Sequence, residues 1–169
     1  MGIFSFAKDI GDKIFNRDKS AQTTAPVANE PATTTPATSS EPSAQQIAEL
    51  LLARIQEQNV NIAGLKVNYN SDSDTVTLSG TAKTQEDRER ARLAVGNVQY
   101  VETVVDDIEV ETPAEESRFY TVVKGDTLSK IAKEMYGNAN DYMKIFDANK
   151  PMLSHPDKIY VGQVLRIPA

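Results

Sequence analysis

The sequence predicts an α+β protein of two small domains, the first reading αββαβ and the second βααβ. Three observations carry that expectation. Two apolar-periodic blocks, residues 44–111 and 119–169, are each too short for a large core. Within each block the apolar spacing switches between the helical period and the strand period of two. Ahead of both lies a stretch, 20–43, rich in Pro, Thr, Ala and Ser, which cannot pack and is expected to be a disordered tether.

The first block opens with Ser43 and Gln46, an S-x-x-Q capping box, before the helical stripe Ile47, Leu50, Leu51 and Ile55. "LKVNYN" and "DTVTLSG" alternate as two strands of a hairpin, turning at "NSDSD". Thr84 with Asp87 caps a second helix whose buried face is Ala91, Ala94, Val95 and Val98. Gly96 is expected to end it, because glycine accepts the left-handed backbone found past helix ends. In the third strand Val104, Ile108 and Val110 share a parity, but Val101 is out of phase and Asp106 falls on the apolar face. A bulge, or a change from loop to strand, is therefore expected within 96–107.

A short linker, 112–118, leads to the strand "FYTVV" and the turn "KGD". Leu128, Ile131, Ala132 and Met135 form an i, i+3, i+4, i+7 stripe closed by Gly137. Asn140 is expected to cap a further helix carrying Tyr142, Ile145 and Phe146. "GQVLRIP" closes the block as a strand stopped by Pro168. Both blocks are read as α+β, without βαβ repeats.

Composition narrows the chemistry. The 169 residues include no Cys, which excludes disulfides, thiolate nucleophiles and Cys-bound zinc. The net charge of −6 comes from residues 44–111, with six basic against twelve acidic groups. Such a field repels phosphate backbones, so nucleic acid is not an expected partner. No secretory signal and no bilayer-length apolar run is present, and the expectation is a soluble cytoplasmic protein.

Individual motifs mostly take bland readings. Asn70, Asp72 and Asp74 alternate as in a calcium loop, but Thr75 and Thr81 stand where that loop needs Gly and Glu. His155 has no second His or Cys and reads as a surface residue. Glu86, Asp87, Glu89, Asp106 and Asp107 read as solvated surface carboxylates. No phosphate loop, nucleophile elbow or metal-ligand cluster appears, so no catalytic residues and no enzymatic activity are expected.

The first nineteen residues, "MGIFSFAKDIGDKIFNRDK", are apolar at the far end of a polar tether. Read as a helix, they place Ile3, Phe6, Ala7, Ile10 and Ile14 on one face, with Phe4 and Phe15 beside it. The segment reads as a membrane-surface helix, a self-association element, or a detached piece of the first domain's core. Interleaved acids and a net charge near +1 make membrane affinity weak.

"FYTVVKGDTLSKIAKEMYGNANDYMKIFDANK" followed by "IYVGQVLRIP" resembles the LysM domain, a βααβ fold that commonly binds N-acetylglucosamine glycans. The resemblance implies a groove with Gly125, Asp126, Thr127 and Leu128 on one lip and Met152, Leu153 and Ile159 on the other. Residues 44–111, with "TVTLSGTAKT", "RARLAVGNVQYV" and "DDIEV", resemble a BON domain. Together with the N-terminal segment, the arrangement is similar to the bacterial cytoplasmic potassium-binding proteins of the BON–LysM type. That resemblance implies one K+ bound by backbone carbonyls of Ala7, Ile10, Asp12, Gly96, Val98 and Val101. It also implies that residues 1–19 pack on the BON domain and complete the site, and that the protein becomes compact and ordered on binding. The expected protein is a monomeric K+ sensor or buffer whose LysM docks to its BON domain or to a partner. The alternative is a glycan-binding adaptor at the cell wall.

Overall fold

A computed structural model describes residues 2–6 and 42–169. The elements are β1 (Gly2–Ser5), α1 (Ala44–Glu57), β2 (Ile62–Asn70), β3 (Thr75–Thr84), α2 (Gln85–Gly96), β4 (Thr103–Thr112), β5 (Arg118–Thr121), α3 (Leu128–Tyr136), a 3-10 turn (Ala139–Asp141), α4 (Tyr142–Ala148) and β6 (Val164–Ile167). The fold is mixed α+β with two sheets, ordered β1-β4-β3-β2 and β5-β6.

Local chemistry accounts for the helix starts. The Ser43 hydroxyl accepts from the Gln46 amide while the Gln46 side chain accepts from the Ser43 amide, completing the capping box. Thr84 and Thr127 accept from the amides of Asp87 and Lys130 in the same way. Asn138 caps the 3-10 turn by accepting from the Asn140 amide, while α4 starts from Asp141 with no side-chain cap, so the expected Asn140 cap does not form. Ile47, Leu51 and Ile55 bury one face of α1 against Val76, Leu78, Ala94, Val95 and Val104 of the first sheet and α2. The second core is built from Val122, Leu128, Ile131, Ile145, Leu153, Leu165 and Ile167.

Three further expectations need correction, and a fourth holds in one of its two forms. β2 and β3 form the antiparallel hairpin, but β3 and β4 pair in parallel, so β3–α2–β4 is one βαβ unit inside the α+β fold. Of the two readings for 96–107, the change from loop to strand holds, at Thr103, and the bulge does not: the sheet's bulge lies in β2, between Ala63 and Lys66, where Gly64 has φ +62. β4 keeps regular pairing, and Val101 falls out of phase because it sits in the loop before the strand. Glu89 and Asp106 are fully buried, not solvated. Finally, the N-terminal segment begins as a strand: Gly2–Ser5 pairs antiparallel with Thr103–Asp106. A strand alternates its faces, so Phe4 and Phe6 pack on the first core while Ile3 stays 70 % exposed. β4 offers an open row of backbone groups, and pairing with it outweighs the helical pattern.

Candidate ion site

α2 ends at Gly96, and the chain needs six residues, 97–102, to turn into β4. Asn97 caps the helix with φ −90 and ψ 11. The Val98 amide donates to Val95 O at 3.2 Å and the Val101 amide to Val98 O at 3.3 Å. Tyr100 takes a left-handed φ of 78, which reverses the chain. The turn is braced from the hairpin. The Tyr69 hydroxyl lies 2.6 Å from Tyr100 O and 2.8 Å from Asp74 Oδ1, and the Asp74 carbonyl accepts from the amides of Glu102 and Thr103. Val98 and Val101 anchor it by burying their side chains in the first core.

Gly96 does not serve as a left-handed stop. It keeps a helical backbone, and a Cβ there would run into the Phe6 ring. The missing side chain is therefore a seat for the N-terminal segment. The Phe6 amide donates to Glu102 O at 2.8 Å, which pins the chain beside the turn one residue before Ala7. Gly96, Val98 and Val101 are thus brought together in one turn. Ala7, Ile10 and Asp12 lie outside the described residues.

The turn's chemistry suits a cation held by neutral oxygens. Among the described residues, no backbone amide donates to the carbonyls of Gly96 or Val101. No group of three or more His, Cys, Asp or Glu that could hold a metal occurs among them either. The "NSDSD" turn is internally bonded, with Asn70 Oδ1 accepting from the Asp72 amide at 2.9 Å.

One face of α2 carries a buried charge cluster that the sequence reading missed. Asp106 Oδ2 accepts from Arg88 Nε at 3.0 Å and lies 3.4 Å from Arg92 Nη1, while Oδ1 accepts from the Ile108 amide. Burial pulls the Arg92 guanidinium below its ordinary value, and Asp106 and Glu89 oppose that shift. The out-of-place Asp106, with two arginines one helical turn apart on the preceding helix, was the signal available.

The same helix face joins the two domains. Glu89 accepts from Arg166 Nε at 2.6 Å, from the Ser117 amide at 2.8 Å and from Gln85 Nε2 at 3.1 Å. Burial pushes its carboxyl up, but the Arg166, Ser117 and Gln85 bonds outweigh it and hold the group below the ordinary carboxylate value. Asn97, between two of the turn residues, reads the backbone of β6. Its Nδ2 donates to Val164 O at 3.1 Å and its Oδ1 accepts from the Val164 amide at 3.0 Å.

Comparison with known proteins fits this architecture. The BON domain family model matches residues 43–112 and the LysM domain model residues 120–168. The chain is 40 % identical to the Escherichia coli protein named potassium binding protein Kbp, over 99 % of both chains. It belongs to the BON–LysM family of Kbp. A Deinococcus radiodurans protein described only as uncharacterized is 32 % identical over 73 % of this chain and 52 % of its own length.

Within this BON–LysM chain the expected glycan lips divide. Gly125, with φ +89, and Thr127 are exposed in the loop before α3, and Asp126 accepts from Tyr120 OH and the Val123 amide. Leu128 and Leu153 are core residues, and Ile159 packs against that core. Met152 turns toward the BON domain, its Sδ 3.4 Å from Asn97 Nδ2. His155 is exposed, as expected, beside Asp157. No described helix is long and apolar enough to cross a membrane.

Proposed function

We propose that this chain is a cytoplasmic K+-binding protein, a sensor or buffer that becomes more compact when one ion binds. The ligands are the backbone carbonyls of Ala7, Ile10, Asp12, Gly96, Val98 and Val101. The relative named potassium binding protein Kbp supports the ion's identity. The observation that supports the reading is the pinning of Phe6, the residue before Ala7, to Glu102 and against Gly96.

Potassium is large and weakly hydrated, so carbonyl dipoles can replace its water without the dense negative charge that suits smaller or divalent ions. In the sequence, residues 13–43 separate the N-terminal ligands from the BON domain. A coil covering the 20–43 stretch spans roughly 25–30 Å, about the width of a small domain. Closing that loop costs entropy that grows only logarithmically with length, and ion binding offsets it. Order at the N-terminal segment then follows the K+ concentration.

The test is a ¹⁵N–¹H titration with KCl against NaCl at constant ionic strength. Saturable shifts with K+ alone, concentrated in residues 3–14 and 96–103, are the expected result. Equal, non-saturating changes with both salts would sink the reading. The LysM match supports a second reading, a glycan-binding adaptor, with the loop carrying the exposed Gly125 and Thr127 as its contact. N-acetylglucosamine oligomers added to the same sample would then shift residues 123–128 and leave 96–103 in place.

A further inference from the structure

Arg92 is the largest fully buried side chain among the described residues, at 1 % exposed, and its burial is shared by three separate parts of the chain. Its guanidinium carbon lies 3.7 Å from the centre of the Phe4 ring in β1 and 4.2 Å from that of Phe119 in β5. The two rings also meet each other, with centroids 6.1 Å apart and planes tilted by 58°. Helix α2 of the BON domain thus holds a cation against one ring from the N-terminal strand and one from the LysM domain. Asp106 is its ion-pair partner, while Nε and Nη2 have no hydrogen-bond partner among the described residues. The cation is held through the faces of the rings, not through a full set of acceptors.

A buried guanidinium is tolerated only when its lost hydration is replaced. Here the replacement comes partly from two aromatic faces. Remove either ring and water reaches the cation, which weakens its hold on the other ring as well. Docking of β1 and docking of the LysM domain are therefore not independent events. By linkage, each strengthens the other by the same factor.

We infer that Arg92 is a positioning residue through which the LysM domain holds the N-terminal strand in place, by way of the mutual contact of Arg92, Phe4 and Phe119. The inference rests on the K+ reading for its functional consequence. β1 leads through Phe6 to Ala7, so a loosened β1 withdraws the N-terminal carbonyls from the turn. The LysM domain then raises K+ affinity without lending the ion a ligand.

The experiment uses the full chain. Phe119→Ala, Phe119→Tyr, Arg92→Lys and Phe4→Ala are compared with the parent by hydrogen exchange of residues 3–6 and by calorimetric titration with KCl. Phe119→Ala is expected to speed exchange of the Phe6 amide and to weaken K+ binding about five-fold or more. Phe119→Tyr keeps the ring face and restores both. Arg92→Lys keeps the charge near Asp106 but lacks a flat guanidinium, and behaves like Phe119→Ala. Unchanged β1 exchange and K+ affinity in Phe119→Ala, with LysM core amides still protected, overturns the inference.

If Phe119→Ala unfolds the LysM domain, Phe4→Ala decides the matter. It must then loosen the Ser117 and Val164 amides at the domain contact, and unchanged exchange there overturns the coupling. A parent chain that fails to bind K+ removes the proposed function, while the exchange measurements still judge the coupling.

Discussion

Helices α2 and α3 each have a glycine at the C-terminal end, the last helical residue in α2 and the first beyond the helix in α3, and the two work by different physics. Gly137 has φ +79, its amide donates to Lys133 O, and nothing lies within 4 Å of where a Cβ would sit. That glycine is present for its backbone. Gly96 keeps a helical backbone and instead leaves room for the Phe6 ring. One helix closes on itself; the other closes on distant parts of the chain. A glycine near a helix end therefore marks a self-contained stop in one domain and an assembly point in the other.

The comparison is broken most strongly by cutting α2 from its distant partners. Among the described residues, Glu89→Ala leaves the Arg166 guanidinium with only Glu86 as an ion-pair partner and orphans the Ser117 amide, a loss of about 3 kcal/mol in domain docking. Denaturant unfolding of the full chain, with Ser117 exchange as the local probe, checks it. Acid acts on the same group. Because the folded state holds the Glu89 carboxyl below its ordinary 4.5, its contribution is complete above that pH and is lost as pH falls through the lower folded value. Ser117 exchange, corrected for intrinsic rate, should stay flat from pH 7 to about 5 and rise below.

Asn97→Ala strips the Val164 amide and carbonyl of their partner, for about 2 kcal/mol of the same docking. Chemical shifts of β6 should move while those of α3 do not. Gly96→Ala is the sharpest contrast, since it acts with two signs. Alanine favours the helix by up to about 1 kcal/mol but expels Phe6, costing about 1.5 kcal/mol of burial. The BON core should unfold at a slightly lower denaturant concentration, while residues 2–6 lose exchange protection altogether. Gly137→Ala is the smallest change, about 1 kcal/mol from the left-handed backbone alone, confined to the LysM domain.

The fold was legible because its signals are local. The Ser43–Gln46 box, the Thr84 cap and the alternation of Val76 and Leu78 each report a neighbouring residue's state, and no distant partner is needed to read them. The N-terminal strand was not legible. Ile3 and Phe6 fit a helix as well as a strand until β4's free row of backbone groups is known. The carbonyl turn hides for another reason: a backbone oxygen leaves no trace in residue type, so only Gly96 and the broken phase at Val101 pointed toward it. The charge cluster lay between these cases. Asp106 was visibly misplaced, but its arginines became partners only through the parallel pairing of β3 and β4.

Pairing of Gly2–Ser5 with Thr103–Asp106 also bears on solubility. With β1 in place, β4 is an interior strand at that end of the sheet. A chain shortened to remove residues 2–6 presents four residues of unpaired backbone beside an apolar core, a template on which a second molecule can add its own strand. Such a chain should self-associate more than the parent, with sedimentation velocity as the readout. The apolar tip that invites a reading as a sticky end is, in this arrangement, the part that keeps copies of the protein apart.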